Sequence, residues 1–532
     1  MLILKTDNQA MQPARSAYWV LAILALAVLA PLFSLVSLNG VATDSSTSLE
    51  FWQTNYIRRI LIFSLWQAFL SAALSIALAL LVARAFAHHG SFPFRNLLLK
   101  LFGLPLVVPS IVAVMGVVSI YGSNGWIPLG RSLYGLNGIL LAHVFFNMPL
   151  AVRLLLPVWS SIPSHHWHMS QQLGLNRWQQ WRHLEWQALR ETLPGVSLLI
   201  FMLCLTSFAV VLTLGGGPKS TTLEVAIYQS LRFDFDPPRA VSLALLQLGL
   251  CLIIAWASSL FHKLPDVEIA LPGSQITTEA KGRWLNTLII TLAAIFVGMP
   301  LLAMIIDAFE GPVLDVLSNI AVWQSAGLTL LIGLSASSLS VVGGWLLLDT
   351  STDFSILGQK RKAGLIEMTG SIVYVVPPLV IGTGLFVLLA PHVNVFDWAI
   401  PVVILINAMM GLPFVIRTLG PAMRQNKMRY QHLCEGLSLS GWHRFKTIDW
   451  PLLRKPVGLS AALVAAMAMG DLGVIALFGT PDITTLPLLL YHQLSAYLIP
   501  NAAVTAVFLL SFCLLVFWLL EKLIGGKSNV SD

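Results

Sequence analysis

The chain has 532 residues, of which 57% are hydrophobic and only 10% charged, where a soluble globular protein carries about 25% charged residues. Its mean hydropathy of +0.80 represents more apolar surface than a soluble fold of this size can hide. Disordered, collagen-like and disulfide-scaffold classes are thereby excluded, and an integral membrane protein is indicated. A net charge of +7 would suggest a nucleic-acid partner in a soluble chain. In a membrane protein it fits Lys and Arg held on one side of the bilayer, and no nucleic acid is expected.

A bilayer core needs roughly 20 apolar residues per helix, and twelve segments qualify. The first six are 17–38, 60–85, 97–121, 136–157, 196–214 and 240–261; the other six are 284–306, 323–349, 365–390, 398–419, 457–478 and 501–523. The first run, preceded by Lys5 and Arg15, is longer than the 7–15-residue core of a signal peptide and reads as a retained helix. Pro105 and Pro109 predict a kink in the third segment. With the N-terminus in the cytoplasm, only Arg58, Arg59, Arg131, Lys219, Arg232 and Arg239 of the 31 basic residues fall outside. The positive-inside rule therefore predicts that both termini are cytoplasmic. Cys204, Cys251, Cys434 and Cys513 suggest no disulfide and no zinc spacing, so no metal site is expected.

The two halves repeat. Residues 173–190, LGLNRWQQWRHLEWQALR, align at an offset of 264 with 437–454, LSLSGWHRFKTIDWPLLR. At an offset of 263, Pro218, Thr221 and Tyr228 meet Pro481, Thr484 and Tyr491, and LSAA at 70–73 matches LSAS at 334–337. Six spans per half is an even number, so the expected fold is all-α: about twelve transmembrane helices as two tandem, parallel six-helix halves around a pathway. The expected units are residues 1–261, a linker at 262–283 and residues 284–532. Trp178, Trp181 and Trp186, with Trp442, Phe445 and Trp450, give the repeated inside loops the aromatic and basic character of a docking surface.

These loops resemble the EAA motif, Glu-Ala-Ala-x3-Gly-x9-Ile-x-Leu-Pro, of permease subunits in bacterial binding-protein-dependent ABC importers. The second copy keeps Ile448 with Trp450 and Pro451, and the first keeps Gly174 with Leu184 and Trp186. Departures are His168-Met169-Ser170 and His432-Leu433-Cys434 at the Glu-Ala-Ala positions, and Ser438 for the motif glycine. Residues 64–75, 134–156, 214–229 and 470–479 resemble the fused, double-length permeases of thiamine and thiamine pyrophosphate importers. Iron(III) permeases of the same architecture are the alternative, and an ion-coupled secondary transporter is the rival from another class. The resemblance implies a type I ABC importer fold, an inner-membrane location in a Gram-negative bacterium, a periplasmic binding protein and a cytoplasmic ATPase dimer. The two loops would couple to that dimer, while ATP is used by the partner and this chain binds no cofactor and has no catalytic residue.

Asp471 stands inside the penultimate span, where a carboxylate is costly and faces a cavity or a partner. Phe208 holds the matching position, so Asp471 and Phe208 are candidate pathway residues, with helix capping as the other reading of Asp471. Gln67, His143, Asn147 and Asn407 read as helix-joining hydrogen-bond formers. SHHWH at 164–168 has no metal-ligand spacing, and GGGPKST at 215–221 fails the Walker pattern because Pro218 separates Gly217 from Lys219. Thr221 and Glu224 fit a capping box that would open a short outer helix. With Tyr228 and Tyr491 they are the candidate binding-protein contacts.

Overall fold

A computed structural model describes residues 16–42, 55–89, 92, 94–123, 125–129, 133–259, 283–371, 373, 375–439 and 441–526. The expected linker lies outside these residues except for Arg283, as do Arg131, Lys5 and Arg15. Among the described residues the secondary structure is helical throughout, and ten helices are long and apolar enough to cross a membrane.

In the first half α1 is Ser16–Ala42, α2 Asn55–His88, α3 Arg95–Leu101, α4 Ser110–Tyr121, α5 Leu136–Ser160, α6 Ser164–Gln172, α7 Arg177–Gln180, α8 Trp186–Leu205, α9 Ala209–Leu214, α10 Leu223–Arg232 and α11 Pro237–Ser259. The second half contains α12 Arg283–Glu310, α13 Val313–Ser318, α14 Ile320–Ile356, α15 Lys360–Ser371, α16 Pro378–Leu389, α17 Ala399–Gly436, α18 Gly441–Arg444, α19 Trp450–Met469, α20 Gly473–Phe478, α21 Leu486–Ser495 and α22 Ile499–Gly525.

All twelve expected segments are helical, but four are broken, at matched places in the halves. The third segment of each half splits at proline: Pro109 and Pro377 take extended ψ of 140° and 141° and cap α4 and α16. Proline lacks the amide a continuous helix needs and pushes its predecessor out of helical geometry. The 12-residue α4 and α16 are each about 18 Å long, too short to cross alone. The fifth segment breaks after Leu205 and after Met469, restarting as α9 and α20.

The buried stripe of α2 (Ile57, Ile60, Ser64, Gln67, Ala68, Ser71, Ala72) falls on that of α14 (Val322, Ser325, Thr329, Ile332, Gly333, Ala336, Ser337) at an offset of 265. The LSAA and LSAS pairing is therefore one residue out of register. One residue turns a helix about 100°, enough to move the wrong side chains onto the packed face. The 265 register also explains a shared tie: Ser64 Oγ accepts from the Leu223 amide at 3.0 Å, and Thr329 Oγ1 from the Leu486 amide at 2.9 Å.

The halves interlock by exchanging their first helices. α1 packs on α11 of its own half but also on α14 and α16, and α12 packs on α22 but also on α2 and α4. Each crossing sets proline on glycine: Pro31 meets Gly384, and Pro300 meets Gly116. Ser34 Oγ donates to the Gly384 carbonyl at 3.0 Å, stitching the first crossing. Small residues at 333–344 serve close packing as expected, since a Cβ on Gly344 would lie 2.5 Å from Val415.

Candidate functional site: paired loops and broken helices

Each loop is built the same way. After α6, Gly174 turns the chain with φ +63°, and Ser438 does so with φ +52° at the matched position. The serine keeps the left-handed turn, although a Cβ there costs about 1 kcal/mol. A short helix follows, α7 or α18, the first opened by a capping box between Asn176 and Gln179. Then comes a single π turn, Trp181–Glu185 or Phe445–Asp449, before the long helix α8 or α19 begins. Matched π turns of this kind mark functional positions in helices.

The π turn sets one aromatic inward and leaves one outward. Trp181 lies under Arg84, whose guanidinium carbon is 5.8 Å from its ring centre, and Phe445 packs edge-on against Trp345 at 5.4 Å. Outward, Trp178 and Trp442 remain 68% and 70% exposed. Trp186, Trp450 and Pro451 are also exposed, Leu184 is half-buried and Ile448 is buried.

Beneath each loop a carboxylate is locked in place. Glu185, fully buried, accepts from Arg84 Nε at 2.7 Å, Arg84 Nη2 at 2.8 Å and Trp159 Nε1 at 2.9 Å, with His88 Nε2 at 3.2 Å. Its counterpart Asp449 accepts from Asn426 Nδ2 at 3.0 Å and faces Arg444 Nε at 3.4 Å. Lys427 beside it bridges Asp349 and Asp353 at 2.6 and 2.7 Å. In the 265 register Asp349 and Asp353 replace Arg84 and His88, so the helix end changes sign while the loop carboxylate is kept, and Lys427 is added beside it.

Deeper in the fold the two broken fifth helices face each other. Asp471 Oδ1 accepts from the Gly473 amide at 3.1 Å, and Oδ2 from Asn407 Nδ2 at 3.2 Å. The carboxylate thus caps α20 and ties it to α17. A Cβ on Gly473 would lie 3.6 Å from Asp471 Oδ1 and 3.7 Å from Phe208, so the structure brings Asp471 and Phe208 together from opposite halves. Phe208 also meets Tyr228 edge-on at 5.3 Å. The other buried polar residues join helices: Gln67 donates to the Cys204 carbonyl, Asn147 to Cys204 Sγ, and His143 pairs with Ser71.

At the end opposite the loops the structure corrects one expectation. Thr222, not Thr221, is the N-cap of α10, and it makes no side-chain cap; the Leu223 amide is instead taken by Ser64. Thr221 donates to the Gly217 carbonyl, and Glu224 is buried and accepts from Gln247 Nε2. The capping box is therefore absent. Thr221, Glu224 and Tyr228 are buried in this conformation, while Tyr491 is half-buried and lines a cavity of about 520 Å³ between the halves. The residues not singled out from sequence are the mounts, Arg84, His88, Asp349, Asp353 and Lys427, and this cavity. The signal for the mounts was present: Arg84 with His88, and Asp349 with Asp353, are i,i+4 pairs ending matched helices.

Two interlocked helical halves with matched, outward-facing loops and breaks meeting between them define a duplicated membrane permease. Residues 356–525 match the family model described as binding-protein-dependent transport system inner membrane component. The thiamine transport system permease protein ThiP of Brucella abortus (strain 2308) is 40% identical over 503 residues, covering 92% of this chain and 91% of the relative. That of Escherichia coli (strain K12) is 41% identical over 486 residues, covering 89% and 90%. That of Haemophilus influenzae (strain ATCC 51907 / DSM 11121 / KW20 / Rd) is 38% identical over 484 residues, covering 88% and 89%. The chain belongs to the family of thiamine transport system permease proteins.

Proposed function

We propose that this chain is the membrane-spanning subunit of an ATP-driven importer that moves thiamine, or thiamine pyrophosphate, across the inner membrane of a Gram-negative bacterium. The carrying observation is the pair of repeat-matched loops, each presenting an exposed tryptophan on a buried electrostatic mount. Two equivalent loops suit the two subunits of an ATPase dimer, and the thiamine assignment rests on the near full-length similarity to permeases of that name. In this reading the loops and both termini face the cytoplasm, and the opposite end receives a periplasmic binding protein. The chain makes and breaks no covalent bond. ATP binding closes the partner dimer, the mounts pass the motion to α2, α8, α14 and α19, and the pathway alternates between its two openings.

The test is uptake of labelled thiamine into proteoliposomes holding the chain and its ATPase, with ATP and thiamine-loaded binding protein. Uptake is expected to need both; uptake driven by an ion gradient without ATP would reject the importer. Replacing both exposed tryptophans, Trp178→Ala with Trp442→Ala, is expected to cut binding-protein-stimulated ATP hydrolysis by about tenfold or more, since truncated interface aromatics cost about 2 kcal/mol each. Stability should change by only about 0.5 kcal/mol, because both rings are exposed. Unchanged hydrolysis in that double variant would move the coupling surface elsewhere.

Asp471 places a carboxylate where the halves meet, and thiamine carries a permanent positive charge. Asp471→Asn keeps a cap on α20 and a partner for Asn407 but removes the carboxylate. It is expected to lower thiamine uptake by about fivefold, roughly 1 kcal/mol, at unchanged membrane abundance. Full uptake by that variant would leave Asp471 as a helix cap alone.

A further inference from the structure

The cavity between the halves has a filled counterpart, and the filling is a cation. At the other interface Arg232, at the end of α10, reaches across to the second half. Its Nη2 donates to the Gly479 carbonyl at 2.6 Å, and its guanidinium carbon stands 5.4 Å from the ring centre of Phe396. The repeat at offset 263 places Ser495 where Arg232 stands and Gly216 where Gly479 stands. Phe396 occupies the turn ahead of α17, and Tyr134 the turn ahead of the matching helix α5. Ser495, Gly216 and Tyr134 all line the 520 Å³ cavity. The cavity therefore stands where an arginine is missing from a pseudo-symmetric pair of interfaces.

Among the described residues the lining carries no charged side chain, and it includes Tyr134, Tyr491 and Tyr497. Aromatic faces attract cations through the ring quadrupole, and a volume of this size suits a small organic molecule. Gly216 has φ +68°, and a Cβ there would lie 2.8 Å from Tyr134 Cβ, so glycine lets the backbone approach Tyr134 closely. A phosphate would find no cationic side chain among the described lining residues. The geometry points to the cavity as a binding site for a planar organic cation, which takes the place that the Arg232 guanidinium takes at the other interface. Resting on the reading of this chain as a thiamine permease, the occupant is the thiazolium end of unphosphorylated thiamine, held on its way between the halves.

The experiment uses the complete importer in proteoliposomes and reads thiamine uptake for wild type, Ser495→Arg and Tyr134→Leu. Ser495→Arg rebuilds the plug and is expected to reduce uptake by about tenfold or more at normal membrane abundance. Tyr134→Leu keeps the bulk but loses the aromatic face, and is expected to raise KM for thiamine by about tenfold with the maximal rate little changed. The probe 3,4-dimethylthiazolium is expected to compete with thiamine, while uncharged 4-methylthiazole is not. Wild-type uptake of thiamine combined with full uptake by Ser495→Arg overturns the cavity assignment and leaves the function standing. If Ser495→Arg does not accumulate, Tyr134→Leu decides, and an unchanged KM overturns the assignment. Equal competition by the charged and uncharged probes overturns the cation preference. A wild-type complex that moves no thiamine rejects the proposed function, and this inference falls with it.

Discussion

Glu185→Ala is expected to destabilise the protein by about 3 kcal/mol or more, the largest effect of any single loop substitution. Its carboxylate is fully buried and is shared by Arg84, Trp159 and His88. Truncating it strands a guanidinium and an indole N–H that were desolvated to meet it, and breaking a buried charge pair costs about 3–5 kcal/mol. Arg84 is one-third exposed, so water recovers part of that loss, which sets the expectation at the lower end. Asp449→Ala should cost less, about 1–2 kcal/mol, because its short hydrogen bond comes from neutral Asn426 and Arg444 stands farther away. SDS-induced unfolding of the purified variants in mixed micelles measures both. Equal losses, or a loss below about 1 kcal/mol for Glu185→Ala, would show that the loop is held by its aromatic packing instead.

The difference between the mounts also bears on why a duplicated chain folds into one arrangement. Both halves offer the same long helices, proline breaks and π turns, so packing alone distinguishes them poorly. Charge does so at the loop end: α2 presents Arg84 and His88, while α14 presents Asp349 and Asp353. Setting Lys427 beside Arg84 would bring like charges together at a helix end that is only about one-third exposed. Specificity of this kind comes from penalising the wrong partner. The exchanged first helices make the need real, because each half completes its packing with a helix from the other.

The spans, the duplication and the special character of the loops were legible because each depends on local composition. Twenty apolar residues have few alternatives to a spanning helix, and Pro109 announces its break. The break at Gly470 and Asp471 was harder to see: a carboxylate in an apolar run has both a pathway and a capping reading, and only the Gly473 amide and Asn407 show that it caps. The register of α2 on α14 slipped by one residue because a four-residue match with three small side chains fixes an offset poorly, while the buried stripe fixes one. The partners of Glu185 lie up to 101 residues away in the chain, a separation that no periodicity encodes. The cavity was visible only as a mismatch, Arg232 against Ser495, in an otherwise faithful repeat.

Gly116→Val is expected to unlock the two halves. A Cβ at Gly116 would lie 2.8 Å from the carbonyl oxygen of Pro300 and 3.2 Å from its Cβ. The obstacle is backbone and a rigid ring, so no side chain can swing away, and α12 must move off α4. Overpacking a well-filled contact costs about 1–3 kcal/mol, and a branched residue against backbone belongs at the top of that range. Gly384→Val meets the same obstruction at Pro31, with the carbonyl oxygen at 2.8 Å and the ring Cβ at 2.6 Å, and it also displaces the hydrogen bond from Ser34. Gly298, by contrast, has no neighbouring atom within 4 Å of an added Cβ, so Gly298→Val on the same helix α12 is the matched control. In SDS unfolding, Gly116→Val and Gly384→Val should each lose about 3 kcal/mol, while Gly298→Val stays within about 1 kcal/mol of wild type. Protease nicking in the segment between the halves should then release two fragments from the crossing variants but leave the wild-type halves associated. Fragments that remain bound in both crossing variants would mean that the loop mounts and the fifth-helix contacts hold the halves together without the exchanged helices.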